Sequence, residues 1–403
     1  MTRGKLTAYP DYLRFWVADT VSLVGTYVTG LAVQVLAVVN LGASATALGV
    51  LGGARWLPYL VVGLVAGVLV DRWRRRPILV TADLIRAGLL GLIPVLAATG
   101  SLTMTVLIGL MVVFGLFSLV YEAAQLSYLP RLVPAALLTR ANARMEQTNS
   151  VAQAAGPMIA GWLVNVITAP MAILLDAVSY LVSGLVLRSL ATEEKAAPVE
   201  HRHLGRELKE GVRWVYRHRM LAPLALGSHA WFLFNGMVST VMVVFVLNEL
   251  GFDAFALGVT YAFAGVGGVL GASLSGRFKA GPTIIAGHWF TPLGYGLIPL
   301  ATNGTAGLVV LCLGQLLFGF SIGFDGPAEM GFRQSVTPDR LQGRMNATIR
   351  SFNRGMIVIG APLGGALADA LGNRTAMWIA VGGLVVQAVA ITCTPLRHAS
   401  IQE

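Results

Sequence analysis

Charge is scarce in this sequence. Asp, Glu, Lys and Arg together make up 12% of its 403 residues, about half the share found in a soluble domain. A chain so poor in charge cannot cover a water-facing surface. Cysteine is scarcer still. Cys312 and Cys393 both lie inside apolar runs, which excludes a disulfide framework and a cysteine metal site. The phosphate-cradling pattern Gly-x-x-x-x-Gly-Lys-[Ser/Thr] is absent, so nothing points to ATP as an energy source. No cofactor or metal constellation stands out, and the reading is of a protein that is not an enzyme. A cleavable signal peptide is not expected either. The first apolar segment, near 12–36, is too long for one and follows no small-residue cleavage site. The net charge of +10 does not indicate nucleic acid, because the basic residues sit in short gaps between apolar segments.

What the sequence has in quantity is apolar length: 56% hydrophobic residues and 47 glycines, with mean hydropathy +0.72. Glycine is tolerated in membrane helices more than in soluble ones. Segments of about 20 residues, long enough to cross a bilayer, fall near 12–36, 47–70, 78–98, 104–128, 148–166 and 169–189. After a polar stretch come 221–247, 255–276, 283–301, 305–328, 347–368 and 375–394. The runs are continuously apolar and do not alternate as barrel strands do, so they are helices, which satisfy their own backbone in lipid. The expected fold class is an all-α polytopic membrane protein of twelve transmembrane helices in two six-helix bundles. The first bundle covers 1–190, a linker 191–219, and the second bundle 220–403.

Basic residues decide the orientation. Of the 29 Lys and Arg, 26 lie at the termini, in 191–219, or in alternate gaps such as Arg72–Arg76 and Arg333–Arg354. The positive-inside rule makes that side, with both termini and the linker, cytoplasmic in a bacterial cell (inner) membrane. The halves also repeat. Pro134, Arg140, Asn142, Ala143, Gly156 and Gly161 recur as Pro338, Arg344, Asn346, Ala347, Gly360 and Gly365. The same offset of 204 residues carries Gly67 onto Gly271 and Asp71 onto Ser275. Parallel repeats about an axis along the membrane normal suit a transporter that rocks around a central cavity.

These residues carry a family resemblance over nearly the whole chain. Gly67-x-x-x-Asp71-Arg72-x-x-Arg75-Arg76 resembles the loop between helices two and three of major facilitator superfamily transporters, with a basic Arg74 where a Gly usually stands. Ser22-Leu-Val-Gly25-Thr26, Asp83-Leu-Ile-Arg86-Ala, Leu129-Pro130-Arg-Leu-Val-Pro134, Leu175-Asp176-Ala-Val-Ser179-Tyr180 and Gly343-Arg344-Met-Asn346-Ala347 are similar to the drug:proton antiporter branch that includes macrolide efflux pumps and the enterobactin exporter. Two departures stand out. Many relatives have an acid where Thr26 stands, and Pro-Ala where this chain has Glu122-Ala123.

The resemblance implies a gate in which Asp71, with Gly67 and Arg72, latches against helix eleven, where Arg350 or Arg354 is the partner. Asp83 and Arg86, i,i+3 on one helix face, are expected as a neutralised pair near the cytoplasmic end, or with Asp71 as a charge relay of that gate. Acids at membrane depth are costly and mark ion pathways; Asp19, Glu122, Asp176 and Asp325 are the proton-coupling candidates. Tyr121 and Gln125 are expected beside Glu122 at the cavity mouth, and Arg55 beside an outer acid, Glu249, Asp253 or Asp369. Tyr27, Gln34, Trp231 and Asn235, on helices one and seven, are the substrate-cavity candidates. The implied function is secondary-active export of amphipathic small molecules, drugs or antibiotics, by proton antiport. Alternatives are export of an endogenous siderophore-like metabolite and lysophospholipid transport. Expected partners are a hydrophobic small-molecule substrate, protons and membrane lipids, with no nucleic acid, and the chain is expected to be a monomer. A membrane scaffold without transport would need neither a repeated gate motif nor mid-helix acids.

Overall fold

The computed structural model describes residues 6–71, 73–192 and 204–398. Thirteen α-helices and no strand occur among them. Six come first: α1 (Pro10–Val35), α2 (Ala45–Asp71), α3 (Arg75–Ala98), α4 (Met104–Leu132), α5 (Ala135–Ile167) and α6 (Ala169–Arg188). A short helix, α7 (Leu204–Arg217), precedes six more: α8 (Leu221–Val244), α9 (Ala254–Ser275), α10 (Ala280–Leu297), α11 (Thr305–Ser335), α12 (Asp339–Leu371) and α13 (Asn373–Thr392). Among the described residues, eleven of these helices are long and apolar enough to span a membrane. The exception among the twelve long helices, α10, carries Thr283, His288, Thr291 and Pro292 on its buried face and packs between α11 and α13.

The sequence repeat is also a repeat of lengths. α5 and α6 return 204 residues later, residue for residue, as α12 and α13. A π-helical turn closes α1 at Leu36–Asn40 and α8 at Phe245–Glu249. α5 and α12 start earlier than their apolar runs, at Ala135 and Asp339, because Pro134 and Pro338 hold extended backbone just before the first turn. Their polar first turns are therefore helical extensions beyond the apolar zone.

Within the first half α1 packs on α5 and α6, α3 on α4 and α6, and α2 on α4. In the second, α8 packs on α12 and α13, α9 on α11, and α10 on α11 and α13. The halves meet along α2–α12 and α5–α9. Both seams depend on missing side chains. A Cβ on Gly49 would strike the Ala361 carbonyl, and one on Gly161 the Ala254 carbonyl, so the backbones approach as small residues permit between membrane helices. An even number of crossings puts the described chain ends and α7 at one end, called here the basic end; the opposite end is the distal end.

Part of 191–219 is helical and docked. Residues 193–203 lie outside the described residues, whereas α7 is docked on the second half. Val215 is buried with Leu221, Ala225, Met345 and Ile349. Glu207 and Glu210 pair with Arg344, and Glu210 also with Arg340 at 2.9 Å.

Candidate functional site

Three stretches far apart in sequence meet inside the first half. Asp176 of α6 is 1% exposed. Its carboxylate accepts from Thr29 Oγ1 on α1 at 2.6 Å and from Ser179 Oγ at 2.9 Å. It lies against Gly25, where any Cβ would collide with Asp176 Oδ1. One residue along α1, the Thr26 hydroxyl meets the Tyr180 hydroxyl at 2.6 Å. The acid missing at Thr26 on α1 is thus matched by one arriving from α6.

Tyr180 leads to the third stretch. The Arg86 guanidinium on α3 lies between two rings, 4.1 Å from the centroid of Tyr121 and 4.2 Å from that of Tyr180. It donates to Asp83, whose other oxygen accepts from Ser183 at 2.7 Å. Asp83 is completely buried, a placement that a carboxylate tolerates only when paired and hydrogen-bonded. Asp19 of α1 accepts from Gln125 Nε2 at 2.5 Å and from the Tyr121 hydroxyl at 3.3 Å. The result is a continuous polar thread through an apolar bundle: Asp19, Tyr121, Arg86 with Asp83, Tyr180, Thr26 and, one turn on, Thr29 with Asp176. Its two ends are carboxylates held by neutral donors. Its middle carboxylate has its own cation.

A second group of polar and aromatic side chains sits at the seam between the halves. The Tyr59 hydroxyl on α2 donates to Glu122 Oε1 on α4 at 2.7 Å. Arg354, from α12 of the other half, lies 3.9 Å from the Trp56 ring centroid and within electrostatic reach of Glu122, Tyr59 and Arg55. The Tyr27 hydroxyl donates to Asn149 Oδ1 at 3.0 Å. Within the second half Trp231 donates to Thr291 at 3.1 Å, and the Tyr295 hydroxyl to Asn235 Oδ1 at 2.5 Å. Tyr295 also stacks on Phe318, ring centroids 4.4 Å apart. The first half thus holds charge against aromatic rings, and the aromatic cluster of the second half has its polar atoms already paired. Gln34 is half-buried on α1.

Comparison with known proteins gives this arrangement its family. The description Major Facilitator Superfamily matches residues 15–361. The chain belongs to the major facilitator superfamily. Similar proteins include macrolide efflux protein A of Streptococcus pyogenes, 22% identical and covering 96% of each chain. The enterobactin exporter EntS of Shigella boydii is 27% identical over 91% of this chain and 86% of its own. Among solved structures, the nucleoside transporter NupG superposes with a TM-score of 0.75 at 12% identity, covering 95% of this chain and 98% of its own; at that identity the likeness shows the fold. The protein is a multi-pass membrane transporter of this superfamily and not an enzyme.

Placed in the superfamily fold, several sequence expectations change. Tyr121 and Gln125 do not accompany Glu122; they turn to Asp19, and Glu122 faces Tyr59. Asp83 and Arg86 do form the neutralised i,i+3 pair, built into the core of the first half, where their bonds and ring contacts come from α3, α4 and α6. Arg55 meets none of the outer acids; its guanidinium lies 5.4 and 5.5 Å from the Phe114 and Trp56 ring centroids. Those acids are engaged elsewhere, Glu249 with Arg374 at 2.8 Å and Asp253 with Asn165 at 2.7 Å. Asp325 of α11 is buried against Gly287, the repeat position of Asp83, one turn from the Glu329–Arg333 pair. Of the expected latch, α2 runs to Asp71, Arg350 is exposed and Arg354 is at the seam. Arg72 and the side chain of Asp71 lie outside the described residues, and so do the surroundings of Gly67.

One feature escaped the sequence reading. At the distal end Asp369 of α12 accepts from the backbone N–H of Ala45 at 3.0 Å and of Thr46 at 2.9 Å, the first turn of α2. Its repeat mate Asn165 of α5 donates to Asp253, the N-cap of α9. Two pseudo-symmetric clamps therefore join the halves at that end. The signal was present: 165 and 369 are separated by the repeat offset, and both sit one turn before a chain reversal.

Proposed function

We propose that this transporter is a proton-driven exporter of amphipathic small molecules, drugs or antibiotics among them. The observation that carries the reading is the polar thread. Asp19 and Asp176 are intramembrane carboxylates without a bonded cation among the described residues, held by hydroxyl and amide donors that serve either protonation state, and such acids mark proton relays. The substrate surface is the seam. Tyr27, Trp56, Trp231 and Phe318 offer flat apolar contact, and Glu122, Arg55 and Arg354 offer a few charges, the usual make-up of a site for bulky lipophilic ligands. Names of relatives that export macrolides and enterobactin lend support. A siderophore-like cargo would use exposed cations; Arg86 is withdrawn between tyrosines, and Arg55 and Arg354 lie against aromatic rings, so the seam favours the amphipathic reading. The halves rock about the α2–α12 and α5–α9 seams. The basic end faces the cytoplasm of a bacterial cell by the positive-inside rule, so the clamped distal end is the outer gate and the latch at Asp71 the inner one.

The test is transport in proteoliposomes under an imposed pH gradient, with ethidium and a macrolide as probes. The gradient is expected to drive accumulation, and a protonophore to abolish it. Asp19→Asn and Asp176→Asn should each lose gradient-driven accumulation and retain probe exchange at equal pH. Accumulation of unchanged pH dependence in both variants would sink the proton reading, and a rate that follows sodium would replace it.

A further inference from the structure

At the basic end, between α3 and α6, a groove of about 740 Å³ opens on the outer surface of the first half. Arg74, Arg76 and Arg188 stand at its mouth; Val80, Leu84 and Leu185 continue beneath them. Leu84 and Leu185 are 39% and 53% exposed, as lipid-facing side chains of membrane-spanning helices are. The mouth is strongly positive for a structural reason. The last carbonyls of α6 would give it a negative end, but Arg76 covers them, donating through Nε to the Leu187 carbonyl at 3.1 Å and through a second nitrogen to that of Arg188. Arg74 and Arg188 are exposed and have no acidic partner among the described residues. A nearby carboxylate, Asp11, is engaged by the N–H groups of Ala191 and Thr192, at 3.0 and 2.9 Å, and by the Thr192 hydroxyl at 2.6 Å. Arg74 stands where the superfamily loop usually has glycine.

Two uncancelled guanidiniums above an apolar trough match one kind of ligand, an anion joined to a hydrocarbon chain. We propose that this groove is a binding site for an anionic phospholipid. Its phosphate lies between Arg74 and Arg188, which suit it by their planar donor geometry, and one acyl chain runs along Val80, Leu84 and Leu185. The smaller groove on the opposite flank of α6, lined by Val17, Val21 and Val182 with Arg14 at its rim, lacks this charge because Arg14 is beside Asp11. It provides an internal control.

The experiment is native mass spectrometry of the purified full chain, titrated with dioleoylphosphatidylglycerol or dioleoylphosphatidylcholine, each variant first checked for an unchanged unfolding midpoint. The intact protein is expected to retain the anionic lipid at least about tenfold more tightly than the zwitterionic one. Arg74→Gln with Arg188→Gln should weaken the anionic lipid roughly 30-fold, from the usual contribution of a basic residue near an anionic headgroup. Leu185→Trp, which fills the trough and leaves both charges, should also weaken it, and Arg14→Gln should not. Inorganic phosphate in large excess should fail to displace the lipid. Equal retention by the double arginine variant overturns the proposal. Displacement by phosphate, with Leu185→Trp silent, overturns it in favour of a free-anion site.

Discussion

Gly25 of α1 and Asp176 of α6 share one space: the carboxylate lies where a side chain at position 25 would be. Each residue makes sense only through the other. An acid on a membrane helix needs donors and room, and α1 supplies both, the room at Gly25 and a donor at Thr29.

Gly25→Ala therefore tests the site without removing any polar group. The added methyl forces Asp176 away from Thr29. Gradient-driven transport is expected to fall at least about tenfold, with a stability loss of about 1–3 kcal/mol for overpacking. Transport in proteoliposomes and thermal unfolding in detergent read the two effects separately. A normal rate from a stable Gly25→Ala protein would show that the Asp176–Thr29 contact is dispensable.

Arg86 neutralises a fully buried Asp83. Removing one member of such a pair strands the other, at a cost of about 3–5 kcal/mol. Arg86→Gln is expected to lower the unfolding midpoint accordingly. Asp83→Asn combined with Arg86→Gln should recover most of the loss, because an amide pair carries no buried charge. Additive losses in the double variant would argue against direct coupling.

Asp369 caps α2 from the other half. Asp369→Ala leaves two N–H groups of α2 without acceptors, a loss of about 1–2 kcal/mol, and loosens the distal end. Spin labels at exposed Val39 and Leu371, one on each half, should show a longer, broader distance distribution. Asn165→Ala should do less, since Asp253 still caps α9 through Ala256 N–H at 2.8 Å.

The docking of α7 is electrostatic on one side and apolar on the other. Arg344→Glu places a negative charge between Glu207 and Glu210. These pairs are part-exposed, 27–37% on the α7 side, so a loss near 1 kcal/mol is expected. Hydrogen exchange over 204–217 should accelerate by about fivefold. Adding Glu210→Lys should restore part of the protection. Exchange that is unchanged in Arg344→Glu would assign the docking to Val215 and its apolar neighbours alone.

Twelve segments, their repeat as two halves of six, and the superfamily were legible in the chain because each depends on one-dimensional quantities. Run length against bilayer thickness marks spans, and recurrence of Pro, Arg and Gly at a constant interval marks the halves. The stretches that carried the resemblance, around Gly25, Asp83 and Asp176, also turned out to be neighbours in space. Which acid meets which donor was much less readable. Tyr121, Glu122 and Gln125 are adjacent in sequence, yet Tyr121 and Gln125 share one helix face and Glu122 points to another; only the rotation of α4 between α1 and α2 assigns them. Arg55 failed for a related reason. Its place at the outer end of the second span suggested an outer acid, but α2 starts ten residues earlier and carries it to the rings of Phe114 and Trp56.

By itself the sequence determined that this chain crosses a membrane many times, repeats itself, and keeps its basic residues to one side, since hydrophobic length, periodicity and charge are summed along the chain. The tertiary structure alone decided that Asp176 belongs with Thr29, that Arg86 is enclosed by two tyrosines, and that Asp369 holds α2. Those pairings depend on helix rotation and on where glycine lets two backbones touch, and such contacts link residues tens to hundreds of positions apart.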